Sequence, residues 1–123
     1  MILVDTSIWI DHLRRGNPAL VAALEAGQVL MHPFVLGELA CGTLTNRAEV
    51  LALLGKLPAA PAAIESEALG FIERHSLMGR GIGYVDVHLL AATALAGSAH
   101  LWTKDKRLAA TAADLQLAWP AAH

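Results

Sequence analysis

Little of this chain is charged. Asp, Glu, Lys and Arg make up 16% of its 123 residues, and nine Lys plus Arg stand against eleven Asp plus Glu, a formal charge of −2. With 55% hydrophobic residues, intrinsic disorder is excluded. The absence of a basic excess removes the composition by which nucleic-acid binders usually announce themselves. A single cysteine, Cys41, excludes an internal disulfide framework and a cysteine-based zinc site, and it suits a reducing cytoplasm. No long uncharged apolar run is present. The longest apolar stretch, 85–102, is broken by Asp86, His88, Ser98 and His100, whereas a membrane span needs ~20 apolar residues. The N-terminus lacks a cationic region and carries Asp5 within its apolar start, which argues against a signal peptide and for a cytoplasmic protein.

What remains is one domain, 1–123, of ordinary size. Alanine accounts for 24 residues, so the core is less greasy than the hydrophobic fraction implies. The low charge predicts an apolar surface shared with a partner. Ile2-Leu3-Val4 reads as a buried strand, and 7–13 as a helix closed by Gly16. Asn17-Pro18 opens a helix that runs to Ala26 and stops at Gly27. A strand is predicted over 29–31 and a helix over 34–44. A further helix, capped by Asn46, runs to Leu54. An extended stretch over 57–61 leads to a helix over 62–77, with Ile64, Ala68, Phe71 and Ile72 on one side. After the glycine-dense loop 79–83 come a helix over 85–96, a strand over 100–103, a helix over 105–113 and a last strand over 115–119. Short apolar strands alternating with helices define an α/β domain with a central parallel sheet covered on both faces.

The informative residues are acids in apolar surroundings. Asp5 follows the first strand directly and Asp105 follows the 100–103 strand, and sites in parallel sheets form outside such strand ends. Each could instead simply cap the next helix. Glu38 has Phe34, Val35, Cys41 and Gly42 as its helical neighbours, so its carboxylate is expected to point inward. Asp86 sits between Val85 and Val87. No Lys or Arg occurs in residues 16–46 or 81–103. Buried carboxylates need a cation or a proton. Glu38 and Asp86, with no cation nearby in sequence, join Asp5 and Asp105 in pointing to a hard divalent ion, magnesium or manganese, and such all-acid sites act on phosphodiesters. The pattern reads as a metal-dependent nuclease.

Four segments carry a family resemblance: Ile2-Leu3-Val4-Asp5-Thr6-Ser7-Ile8-Trp9-Ile10, Leu36-Gly37-Glu38-Leu39, residues 83–91 around Asp86, and Leu101-Trp102-Thr103-Lys104-Asp105-Lys106-Arg107-Leu108. In this order, over nearly the whole chain, they resemble a PIN domain, and more narrowly the VapC toxins of bacterial toxin–antitoxin pairs. The resemblance implies a three-layer α/β/α fold and a magnesium- or manganese-dependent endoribonuclease that leaves 5′-phosphate and 3′-hydroxyl ends. It also implies a homodimer and a VapB-type antitoxin. It places Asp5, Glu38, Asp86 and Asp105 at the metal, with Thr103 and Thr6 as the hydroxyl positions.

The remaining polar and aromatic residues are expected to be ordinary. Asp11 reads as solvated, and Asp114 as a turn or cap residue. His32 and His88 read as structural, Trp9, Trp102 and Trp119 as core, and Cys41 as a small buried packer. Candidate RNA contacts are Arg14, Arg15, Arg80, Lys104, Lys106 and Arg107. Two other classes stay open on the residues alone: a receiver-like signalling module, and an interaction domain whose acids only cap helices.

Overall fold

The computed structural model describes residues 1–120. Its sheet has three parallel strands, β1 (Ile2–Val4), β2 (Val29–Leu30) and β3 (His100–Trp102), in the order β2-β1-β3. Ile2 pairs with Val29 on one side and His100 on the other, and Val4 pairs with Trp102. Successive strand residues point to opposite faces. All three residues of β1 are buried, so both faces of the central strand are covered.

Seven helices among the described residues supply that cover: α1 (Thr6–Arg15), α2 (Pro18–Glu25), α3 (Pro33–Cys41), α4 (Arg47–Leu54), α5 (Glu65–His75), α6 (Tyr84–Ala96) and α7 (Lys106–Asp114). The result is a three-layer α/β/α arrangement. The α6 helix is buried continuously from Val87 to Thr93, which is why its sequence is apolar nearly all round. It packs on β3 and on α5, while α1 packs on α3. No described helix is long and apolar enough to cross a membrane.

Several expectations need correction. Residues 115–119 do not form a strand. Only Leu101 and Ala118 bridge, through Leu101 N–H to the Leu117 carbonyl at 2.6 Å and Trp119 N–H to the Leu101 carbonyl at 2.9 Å. Pro120 follows with no N–H to extend the ladder. The β2 strand stops at Leu30, and Met31 instead bridges Ala59 within the predicted extended stretch. Ile64 precedes the first turn of α5 and is exposed, since a residue outside the helix has no place on its periodic face. Cys41 is exposed too. The buried side of α3 is set by Val35 and Leu39, and Cys41 lies roughly opposite them at 100° per residue. Asn46 stands at the start of α4 in left-handed backbone, and its side chain makes no cap bond. Trp9 is buried as expected, whereas Trp102 and Trp119 are half-buried against each other, their ring centroids 4.4 Å apart.

Candidate active site

The chain leaves β1 toward β2 on one side and later returns to β3 on the other. The order therefore reverses at β1, and the crevice opens at its carboxyl end. Asp5 is the next residue. Its amide continues the ladder to the Trp102 carbonyl at 2.9 Å, which fixes its position. The side chain is 8% exposed and accepts three hydrogen bonds. Thr6 N–H donates to Oδ1 at 2.8 Å, while Ser7 Oγ and Thr103 Oγ1 donate to Oδ2 at 2.9 and 2.6 Å. A hydroxyl has one hydrogen. With both hydrogens on Oδ2, the 3.4 Å approach of Ser7 Oγ to Thr103 Oγ1 lacks a donor and is only a contact. The same two oxygens accept backbone amides, Ser7 Oγ from Lys104 at 3.0 Å and Thr103 Oγ1 from Asp105 at 3.0 Å. The turn after β3 is thus tied to the first turn of α1 through one carboxylate.

Asp105 is exposed and caps α7, its Oδ1 accepting Leu108 N–H at 2.9 Å. Asp86 is half-buried in the first turn of α6, its Oδ2 accepting Gly83 N–H at 2.9 Å. Glu38 was expected to point inward. It is exposed, and Thr6 Oγ1 donates to its Oε1 at 2.7 Å across from α1. Its apolar neighbours misled, because Phe34 and Cys41 are themselves exposed.

Asp86 lies within charge range of the other three acids. Asp86 holds its proton more tightly than an ordinary aspartate. Burial is the largest cause; Gly83 N–H opposes it, and the charges of Asp5, Asp105 and Glu38 reinforce it. No ion pair among the described residues involves any of the four. These bonds leave one oxygen each of Glu38, Asp86 and Asp105 without a hydrogen bond among the described residues. In this conformation no three His, Cys, Asp or Glu side chains of the described residues stand close enough together to hold an ion. The donor chemistry nevertheless fits a hard cation, since every candidate atom is a carboxylate oxygen.

The basic candidates divide. Arg14 lines a cavity of about 420 Å³ together with Glu38, Ile10, Leu13, Thr43 and Leu44. Arg15 and Lys104 each reach Asp11 at 3.4 Å, and Asn17 Nδ2 also approaches it. Asp11 is therefore the centre of a small polar network, not the solvated residue expected. Arg80 pairs with Asp114 at 2.7 Å, at the far end of α7 from Asp105. Arg107 packs beneath the loop at Gly81, where φ is +77° and a Cβ would stand 2.7 Å from its Nη1. Lys106 opens α7 and is exposed.

His32 is structural, as expected. Its ring caps α3, with Phe34 N–H donating to Nδ1 at 3.0 Å, and burial together with the charge of His88 lowers its pKa to about 4. Ser7 was not anticipated as a site residue. The available signal was a hydroxyl two positions past a capping aspartate, within reach of its second oxygen.

The PIN domain family matches residues 2–114, and the chain belongs to it. Within that family it is similar to the proteins named Ribonuclease VapC32 of two Mycobacterium tuberculosis strains, CDC 1551 / Oshkosh and ATCC 25618 / H37Rv. Each is 47% identical over 114 residues, covering 93% of this chain and 92% of the relative. That similarity places the chain with the VapC-type members.

Proposed function

We propose that this protein is the toxin of a type II toxin–antitoxin pair, a magnesium- or manganese-dependent endoribonuclease. The observation that carries the reading is that the fold brings Asp5, Glu38 and Asp105 within charge range of Asp86, while no ion pair among the described residues involves any of the four. Helix capping is a real role for Asp5 and Asp105. It does not account for Glu38, which sits mid-helix, or for the mutual repulsion. Family membership sets the receiver-like alternative aside.

Asp5 is the fixed member, oriented by Thr6, Ser7 and Thr103. Glu38, Asp86 and Asp105 offer their free oxygens from α3, α6 and the start of α7, and these four acids would hold the metal. A divalent ion bound there supplies a water of lowered pKa and positive charge for the phosphate oxygens. The hydroxyls of Thr6, Ser7 and Thr103 keep the carboxylates oriented, so that little reorganisation is needed when RNA arrives. The charges of Asp5, Asp105 and Glu38 repel that of Asp86, and a bound cation would relieve that repulsion. Of the six basic candidates, Arg14, Lys106 and Arg107 make no ion pair among the described residues and would meet RNA phosphates. The reading also entails a cytoplasmic protein, a homodimer and a VapB-type antitoxin partner.

A manganese titration followed by thermal melting tests it. The midpoint should rise with manganese in the wild type and much less in Asp86→Asn. Equal midpoints in EDTA and in manganese for the wild type would remove the metal site.

A further inference from the structure

Aromatic side chains are scarce here, with three Trp, two Phe and one Tyr. Trp9 and Phe71 are buried, and Trp102 and Trp119 pack against the core. The other two, Phe34 and Tyr84, are 40% and 45% exposed. They are not scattered. Both lean on the imidazole of His88, which is buried. The Phe34 ring centroid lies 4.9 Å from it at 67°, and that of Tyr84 lies 4.7 Å away at 88°. His32 supports Phe34 from beneath at 5.1 Å and 65°. Edge-to-face contacts of this kind orient rings, so both are held by the protein while much of their surface stays open.

Their position matters as much as their exposure. Phe34 lies one helical turn before Glu38 on the same side of α3. Tyr84 opens α6, two residues before Asp86. Phe34 therefore stands beside Glu38, and the His88 ring joins Tyr84 to it across the two helices.

We propose that Phe34 and Tyr84, braced by the buried His88, form a platform on which an unpaired base of the RNA substrate stacks, beside the phosphodiester presented to the acids. The proposal rests on the ribonuclease reading and deepens it. The charge inventory favours stacking. The chain is formally −2, and Arg15, Lys104 and Arg80 are drawn into ion pairs, so phosphate contacts alone are few. Base–aromatic stacking needs no charge and tolerates any base. A base inside a duplex has both faces covered, so the platform selects single-stranded segments.

The test uses a ten-nucleotide single-stranded RNA carrying one internal 2-aminopurine. It is bound to the full chain with calcium in place of magnesium, and the strand is checked for integrity afterwards. Wild type should quench the fluorophore. Phe34→Ala and Tyr84→Ala should each bind about 5- to 150-fold more weakly and lose the quench. Phe34→Tyr should restore quenching and Phe34→Leu should not, a contrast that holds even if the alanine variants fold poorly. Alanine variants that bind like wild type, while wild type still cleaves RNA with metal, would overturn the platform and leave the ribonuclease reading intact. So would Leu serving as well as Tyr at position 34, or alanine variants whose only change is in sedimentation, which would make the rings a protein interface. Failure of the wild type to bind any RNA would overturn both.

Discussion

Thr103→Val isolates the bond that ties β3 to Asp5. Valine keeps the shape of threonine and removes the hydroxyl. Three contacts change. Asp5 Oδ2 loses a 2.6 Å donor, Asp105 N–H loses a 3.0 Å acceptor, and Ser7 Oγ loses a 3.4 Å neighbour that donates nothing to it. A hydrogen bond to a charged group is worth ~1.5–3 kcal/mol. Asp5 is buried but keeps Ser7 and Thr6 as donors, which argues for the middle of that range. Asp105 is exposed, so water replaces its lost acceptor at a cost of roughly 0.5 kcal/mol or less. The total is about 2 kcal/mol, a fall of about 8 °C in Tm for a domain this size. Urea unfolding in EDTA at pH 7 reads it directly. Thr103→Ser keeps the hydroxyl and should cost less than about 1 kcal/mol. In an Asp5→Asn background the Thr103→Val cost should shrink by about 1 kcal/mol, because the acceptor is then neutral. A Thr103→Val variant within about 0.5 kcal/mol of wild type, or a cost unchanged by Asp5→Asn, would refute the reasoning.

Three further outcomes follow from single observations. Asp86→Asn keeps an acceptor for Gly83 N–H and removes the charge repelled by three neighbours, so the metal-free protein should be as stable or more stable at pH 7; a clear loss in Tm would contradict this. Because the folded-state pKa of Asp86 is raised, its stabilising contribution is present at low pH and is lost as pH rises through that pKa. His32 acts in the opposite sense. With its pKa lowered from 6.5 to about 4, its contribution is whole above pH 6.5 and falls away toward pH 4, by up to about 3 kcal/mol. His32→Asn keeps a helix cap and should flatten the pH dependence of urea unfolding across that window; identical slopes would sink the assignment. Gly79 and Gly81 both have positive φ, so alanine at either should cost about 1–2 kcal/mol. Only Gly81→Ala also pushes on Arg107, and a smaller Tm loss there than in Gly79→Ala would contradict the packing described.

Much of the fold was legible because apolar runs and punctuation agree. Ile2-Leu3-Val4, the Asn17-Pro18 start and the stops at Gly16 and Gly27 all fall where the structure has element ends. The 115–119 segment was misread because an apolar run shows that residues can be buried and not how many of them pair. The scarcity of cations around Glu38 and Asp86 was legible, and no ion pair among the described residues involves either. The surroundings of Glu38 were not, since its partner Thr6 lies on another helix, 32 residues away in the chain. The Asp11 network was hidden for the same reason, because Lys104 lies 93 positions away. Tertiary pairing of polar groups leaves no periodic trace in sequence. The pairing of Phe34 and Tyr84 across His88 is of the same kind.

The central claim is that the four acids cut RNA through a bound divalent ion. The most direct measurement is cleavage of a single-stranded RNA by the purified wild type and by Asp86→Asn, each in manganese and in EDTA, with the ends of the products sequenced. The account predicts internal cuts bearing 5′-phosphates for the wild type in manganese, and intact RNA in the other three reactions. Cleavage by the wild type in EDTA, or equal cleavage by Asp86→Asn in manganese, would contradict it.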